Sequence, residues 1–141
     1  MGHFIKKASS IGILIISILL VSACQQKQEE INKLKDLDFT VVEEADIPEE
    51  LLNMIQEKKQ NVFKLSYSSK GNEYRYIVVG YGAQNTGGYS ISVEELFLTE
   101  NAIYIDTTLI GPGKEELVTQ VITYPYICIK IEYIDKSVVF E

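Results

Sequence analysis

Residues 127–133 read Ile-Cys-Ile-Lys-Ile-Glu-Tyr, the most regular alternation of apolar and polar residues in the chain. Apolar side chains at every second position are typical of a β-strand with one buried and one solvent-facing side. The pattern predicts that Ile127, Ile129 and Ile131 face a core. It also predicts that Cys128 lies on the polar face, beside Lys130.

Other runs of strand length and composition precede this one. The predicted strands cover residues 39–42, 62–67, 74–81, 89–98, 103–109 and 118–124. A turn-forming cluster at 68–72 joins the second and third of them into a hairpin. Within 89–98 the apolar phase slips at Glu94-Glu95, which predicts a β-bulge, and Asn101 predicts a tight turn before the next strand.

One helix is predicted after the first strand. Asp46 is placed as its N-cap and Pro48 in its first turn, and Leu51 and Ile55 recur at helical spacing. The chain is therefore predicted to be mainly β with one helix, an α+β fold. We expect an antiparallel β-sandwich or strongly curved sheet with this short N-terminal helix packed on it. Strands and helices do not alternate, which disfavours a parallel, doubly wound sheet.

The first residues have the three parts of a bacterial export signal. Lys6 and Lys7 precede an apolar run from Ile11 to Val21, which is too short for a transmembrane helix. The quartet Val21-Ser22-Ala23-Cys24 resembles a lipobox, in which the cysteine is acylated and becomes the new N-terminus. Cys24 is thus the predicted lipidation site, carrying acyl chains such as palmitate. The alternative is a plain secreted protein with a free cysteine near its N-terminus.

These features give a predicted organisation and location. Residues 1–23 form the lipoprotein signal peptide, 24–37 a flexible polar tether, and 38–141 a single β-rich domain. The protein is predicted to lie on the outer, extracytoplasmic face of the cell membrane, held by its lipid anchor.

Composition narrows the classes of function. The formal net charge is -7, from 20 acidic and 13 basic residues, which speaks against a nucleic-acid binder. The single histidine, His3, lies in the segment predicted to be removed, so no imidazole remains for catalysis or metal binding. We therefore expect no enzyme activity, no cofactor and no metal site. Cys128 is interpreted as a small strand residue rather than a nucleophile.

The candidate binding residues lie in loops rich in glycine, proline and tyrosine. The Gly80–Tyr89 stretch is rich in glycine but leads into a strand and lacks a cation, so phosphate binding is disfavoured. Nine tyrosines, which suit protein recognition, lie between Tyr67 and Tyr133. An aromatic residue before proline, as in Tyr124-Pro125, favours a cis peptide bond more than other residues in that position do. The predicted binding surface consists of Gln84, Asn85, Thr86, Gly87, Gly88 and Tyr89, then Gly111, Pro112 and Gly113, and finally Tyr124, Pro125 and Tyr126.

Three landmarks in one order carry a family resemblance. They are Gly87-Gly88-Tyr89-Ser90-Ile91, Gly111-Pro112-Gly113 and the run from Thr119 to Tyr126. Over about residues 62–132 the chain resembles the C-terminal domain of the PrcB family, named for a subunit of a bacterial surface protease complex. The resemblance implies a small β-rich extracytoplasmic domain, often on lipoproteins, that assembles or stabilises a partner protease without catalysis.

Two alternatives to the accessory role stay open at this point. One is a module that binds a small ligand or glycan, with tyrosines stacked on sugar faces; a concave pocket lined by two or more exposed tyrosines would favour it. The other is a protease inhibitor that presents a Gly/Pro loop to an active-site cleft. An exposed sheet edge is a further docking mode for a protein partner, by strand addition.

Overall fold

A computed structural model describes residues 30–141, which form two sheets and one helical layer. The predicted signal peptide, Cys24 and the first part of the predicted tether lie outside the described residues. The strands are β1 (Lys33–Asp36), β2 (Thr40–Val41), β3 (Val62–Ser68), β4 (Tyr74–Tyr81), β5 (Ser90–Thr99), β6 (Ala102–Ile110), β7 (Tyr126–Glu132) and β8 (Ser137–Phe140). A 3-10 turn covers Glu44–Asp46, and the helix α1 covers Glu49–Lys58.

The strands form two four-stranded sheets. The first has the order β1-β5-β6-β8 and the second the order β2-β7-β4-β3. All neighbours pair antiparallel except β6 and β8, which run parallel. The prediction of a mainly β, antiparallel sandwich with one helix is confirmed.

The main core lies between the two sheets. Ile77 of β4 and Ile129 of β7 meet Ile103 and Ile105 of β6 there, and all four are at most 2% exposed. A second core lies on the outer face of the β2-β7-β4-β3 sheet, where α1 packs. Leu51 and Ile55 of α1 are fully buried against Val78 and its neighbours. The central strands β4 and β7 are consequently covered on both faces over much of their length.

Several local predictions are confirmed. Residues 62–68 and 74–81 form the antiparallel hairpin β3–β4. The register of β5 against β6 shifts between Val93 and Glu95, at the predicted bulge. The turn at Asn101 is closed by Oγ1 of Thr99, which accepts hydrogen bonds from the backbone N–H groups of Asn101 and Ala102.

The predicted position of Cys128 is wrong. Its side chain is 2% exposed and packs in the cluster that α1 covers. Alternation in the sequence separates the two faces of a strand, but it does not show that a helix covers the second face. The tether prediction also fails for residues 33–36, which form β1 on the edge of β5. All four residues of β1 are exposed, so the strand forms through backbone pairing and leaves no apolar pattern.

Two further expectations need correction, and one open question is answered. Residues 118–124 are not a strand and make a single bridge, Gln84 to Thr123. The helix begins at Glu49 with Pro48 as its N-cap and no side-chain cap, because Asp46 belongs to the preceding 3-10 turn. The Tyr124–Pro125 peptide bond is trans.

The last strand, β8, was not predicted. Arg75 holds the turn that leads into it, donating to the carbonyl oxygens of Ile134 and Lys136. Among the described residues, no helix is long and apolar enough to cross a membrane.

The burial of Cys128 predicts a specific loss of stability in alkali. Burial raises the pKa of its thiol from an ordinary 9.0 to about 12. Between these values the unfolded chain releases a proton that the folded chain keeps, so stability falls as pH rises. The slope approaches about 1.4 kcal/mol per pH unit at its steepest. Urea unfolding of the unaltered protein and of Cys128→Ala between pH 8 and 11 measures how the unfolding free energy changes with pH. We expect a smaller decrease per pH unit in Cys128→Ala. An equal decrease in both proteins would contradict the assignment of this pH dependence to Cys128.

Candidate functional site

The predicted loops meet at one end of the sandwich. The Gln84 N–H donates to the Thr123 carbonyl at 2.8 Å, and the Thr123 N–H donates back at 3.0 Å. The Gly87 N–H donates to the Thr119 carbonyl at 2.9 Å, and Oγ1 of Thr123 donates to the Thr86 carbonyl at 2.7 Å. These bonds tie the segment 117–123 to the glycine loop. We call this region, residues 84–89, 111–113 and 117–123, the loop end.

The glycine positions of the loop end are where its segments touch. Gly88 has a φ of 84°, and a Cβ atom built there would lie 2.6 Å from Cγ1 of Val118 and 3.1 Å from Cβ of Pro112. A Cβ on Gly111 would lie 3.4 Å from the ring of Tyr89. The Gly-Gly-Tyr and Gly-Pro-Gly landmarks, 22 or more residues apart in the sequence, therefore pack against each other. Only glycine combines this backbone conformation with such close approach.

The Tyr124–Tyr126 corner adjoins these loops through its backbone. The Tyr81 N–H donates to the Pro125 carbonyl at 3.0 Å. The tyrosine side chains turn toward the helical layer, where Nζ of Lys59 lies 5.5 Å from the Tyr124 ring centroid. The Tyr126 hydroxyl donates to Oε2 of Glu44 at 3.1 Å. Burial and this hydrogen bond raise the pKa of Tyr126 to about 12, because both disfavour the charged phenolate.

Three exposed aliphatic side chains of the loop end were not predicted. Leu117 is fully exposed, and Val121 and Ile122 are 58% and 60% exposed. Val121 and Ile122 belong to the apolar run 118–124, which predicted a strand. Apolar residues of a strand are expected to be at least half buried. No signal in the sequence separates this run from a strand, because the Gly111-Pro112-Gly113 break ends the preceding strand and does not exclude a strand after it.

The loop end offers contact chemistry and no evident catalytic chemistry. Its polar groups are backbone amides, the hydroxyls of its threonines and of Tyr89, and the side-chain amides of Gln84, Asn85 and Gln120. Within residues 30–141, no cluster of three or more histidine, cysteine, aspartate or glutamate side chains is placed to hold a metal ion. The three exposed aliphatic side chains, which we call the apolar patch, lie in the same segment as some of these hydrogen-bonding groups, a combination that suits a protein–protein contact.

Comparison with known families supports the resemblance. Residues 75–132 match the family model described as PrcB C-terminal. The matched segment runs from β4 through β7 and contains the whole loop end, whereas β1, β2, α1, β3 and β8 lie outside it. The family resemblance predicted from the sequence is confirmed for this segment. No curated protein and no solved structure matches the chain.

Proposed function

We propose that the protein is a non-catalytic accessory subunit that docks onto an extracytoplasmic protein through the loop end, and that this partner is a protease. The observation that carries the proposal is the convergence of the 84–89, 111–113 and 117–123 segments, the last of which carries three exposed aliphatic side chains. The match to the PrcB C-terminal family indicates an association with a protease complex. Both lines of support fall on the same 58-residue segment, 75–132.

The chemistry of the loop end favours a protein partner over a lipid surface. Burying an aliphatic side chain is favourable by about 1.5–3 kcal/mol, which is what Leu117 would gain in an interface. Glu115 and Glu116 immediately precede it, and an anionic headgroup layer would repel them. A protein surface can instead supply donors for these carboxylates while it covers the apolar patch.

We propose further that lipidation of Cys24 holds this subunit on the outer face of the membrane. The support is the sequence pattern at residues 21–24, which lies outside the described residues. Palmitate labelling of cells that express the protein tests it, with Cys24→Ser as the variant and Cys128→Ser as the matched control. Label retained on Cys24→Ser would contradict the anchor.

The accessory role and the inhibitor role differ in what they do to the protease. An accessory subunit should lengthen the half-life of the partner protease and leave its turnover of a small peptide substrate undiminished. An inhibitor should abolish that turnover at saturating concentration. Peptide hydrolysis and heat inactivation of the purified protease, each with and without this protein, decide between the two. Loss of turnover would overturn the accessory proposal.

A further inference from the structure

A concave feature lies at the opposite end of β7 from the loop end. It is a cavity of about 410 Å³ whose lining includes Lys35, Asp38, Phe39, Tyr74, Lys130 and Glu132, and we call it the Phe39 pocket. The strand β7 runs from Tyr126, beside the loop end, to Glu132, in the pocket. Six residues of strand span about 20 Å, so the two features are separate surfaces.

Phe39 is an aromatic side chain that the core does not use. It is 40% exposed and is not part of either hydrophobic cluster. It lies in the segment that crosses from β1 in one sheet to β2 in the other, so its position is fixed by strands on both sides. An anchored, exposed ring at the rim of a cavity presents a flat apolar face to a ligand.

Tyr74 and Lys130 form the adjoining wall. Nζ of Lys130 lies 4.6 Å from the Tyr74 ring centroid, a cation–π contact that orients the ammonium group. Tyr74 is half buried and packs against the core under α1. Tyr133 also lines the cavity and is half buried. The lining therefore includes three aromatic residues, two of them tyrosines.

The backbone of β7 adds a donor and an acceptor to this wall. The Val42 N–H donates to the Cys128 carbonyl, which shows that the backbone groups of Cys128 face β2. Alternate residues of a strand point the same way, so the N–H and C=O of Glu132 also face that side. The pairing of β2 with β7 stops at Thr40–Lys130, so on this side the backbone groups of Glu132, a lining residue of the cavity, have no partner in β2.

The charges of the lining nearly balance. The lining includes two lysines, Lys35 and Lys130, and three acidic residues, Asp36, Asp38 and Glu132. One of these, Asp36, is already paired with Lys33. Three carboxylates disfavour a phosphate or another strongly anionic ligand, and two ammonium groups disfavour a cation. A neutral ligand that both donates and accepts hydrogen bonds is the best match.

We propose that the Phe39 pocket binds a neutral saccharide. A sugar ring has an apolar C–H face for the Phe39 ring and a rim of hydroxyls that both donate and accept, as this wall requires. The cavity lies within the range of about 300–1,000 Å³ usual for small-ligand sites and has room for a short oligosaccharide. This proposal is independent of the proposed docking at the loop end.

Titration of the full-length protein in detergent with neutral oligosaccharides, cellotriose and N-acetylated chitotriose, tests the proposal. Backbone amide chemical shifts are the readout. We expect shifts confined to residues 35–40, 74 and 130–133, and saturable binding by at least one probe. The variant Phe39→Ala should weaken that binding about tenfold, the loss expected for one aromatic contact. Phe39→Tyr should keep it, because the flat ring remains.

A matched control keeps the test specific. Leu117→Ala removes an exposed apolar side chain of the loop end, which the saccharide does not touch in this proposal, so it should bind the probes like the unaltered protein. No saturable binding of either probe overturns the proposal. Saccharide binding that Phe39→Ala leaves unchanged also overturns it. Chemical-shift changes that map to the loop end would overturn it as well. If Leu117→Ala no longer bound a protein partner but still bound the saccharide, the loop end and the Phe39 pocket would be shown to act independently.

Discussion

Replacing Leu117, Val121 and Ile122 together with serine is expected to weaken association with the protein partner about a hundredfold. Each exposed aliphatic side chain gains roughly 1 kcal/mol or more when an interface covers it, and three such losses amount to at least two powers of ten in affinity. The fold should persist, because substitutions of exposed residues change unfolding free energy by about 0.5 kcal/mol or less each. Titration of the partner protease, co-purified with the unaltered protein, against the unaltered protein and the triple variant measures the change.

A matched triple variant tests whether replacing any three exposed aliphatic residues with serine lowers partner affinity. Leu34, Val41 and Val139 are also exposed aliphatic residues, at 60%, 56% and 37%, and lie in strands outside the loop end. Their replacement by serine should leave partner affinity within about twofold of the unaltered protein. If both triple variants lost affinity equally, the loop end would not be the docking surface.

The second large effect is expected from Gly88→Val. A valine there meets Val118 and Pro112, two stiff side chains, and must also adopt a φ of 84°. The backbone strain and the overpacking each cost about 1–3 kcal/mol. The substitution should therefore lower the unfolding free energy and also displace the 111–113 and 117–123 segments, with loss of partner binding. Urea unfolding and partner titration measure the two effects.

Gly71→Val is the matched control for backbone strain. Gly71 has a similar φ of 79° in the β3–β4 turn, but a Cβ there would contact nothing within 4 Å. Its valine variant should show the strain alone, so it should be more stable than Gly88→Val by about 1–3 kcal/mol and should bind the partner normally. Equal stability of the two variants would show that the loops are not packed as described.

The parts of the fold that could be predicted are those in which side-chain pattern and backbone geometry agree. Alternation placed Ile127, Ile129 and Ile131 correctly in the core, and the phase slip located the bulge beside Glu94. Cys128 was misplaced because its burial depends on α1, which is distant in sequence. The strand β1 left no pattern because all of its side chains are exposed, and its stability comes from pairing with β5.

The candidate site also has features that the sequence pattern predicts and features that depend on the folded chain. The glycine and proline positions of the loop end could be predicted, because turns and close approach require those residue types. Leu117, Val121 and Ile122 could not, because an apolar residue in sequence predicts burial and these are exposed. The Phe39 pocket draws on β1, β7 and the segment that links the two sheets, and only the folded chain brings these together.

Photo-crosslinking in intact cells tests the docking surface most directly. A photoreactive amino acid replaces Leu117 in one variant and Leu34 in the control, since both side chains are exposed and both substitutions should be tolerated. We expect a covalent adduct with an extracytoplasmic protease from position 117 and none from position 34. An adduct formed from position 34 alone, or equally from both positions, would contradict docking through the loop end.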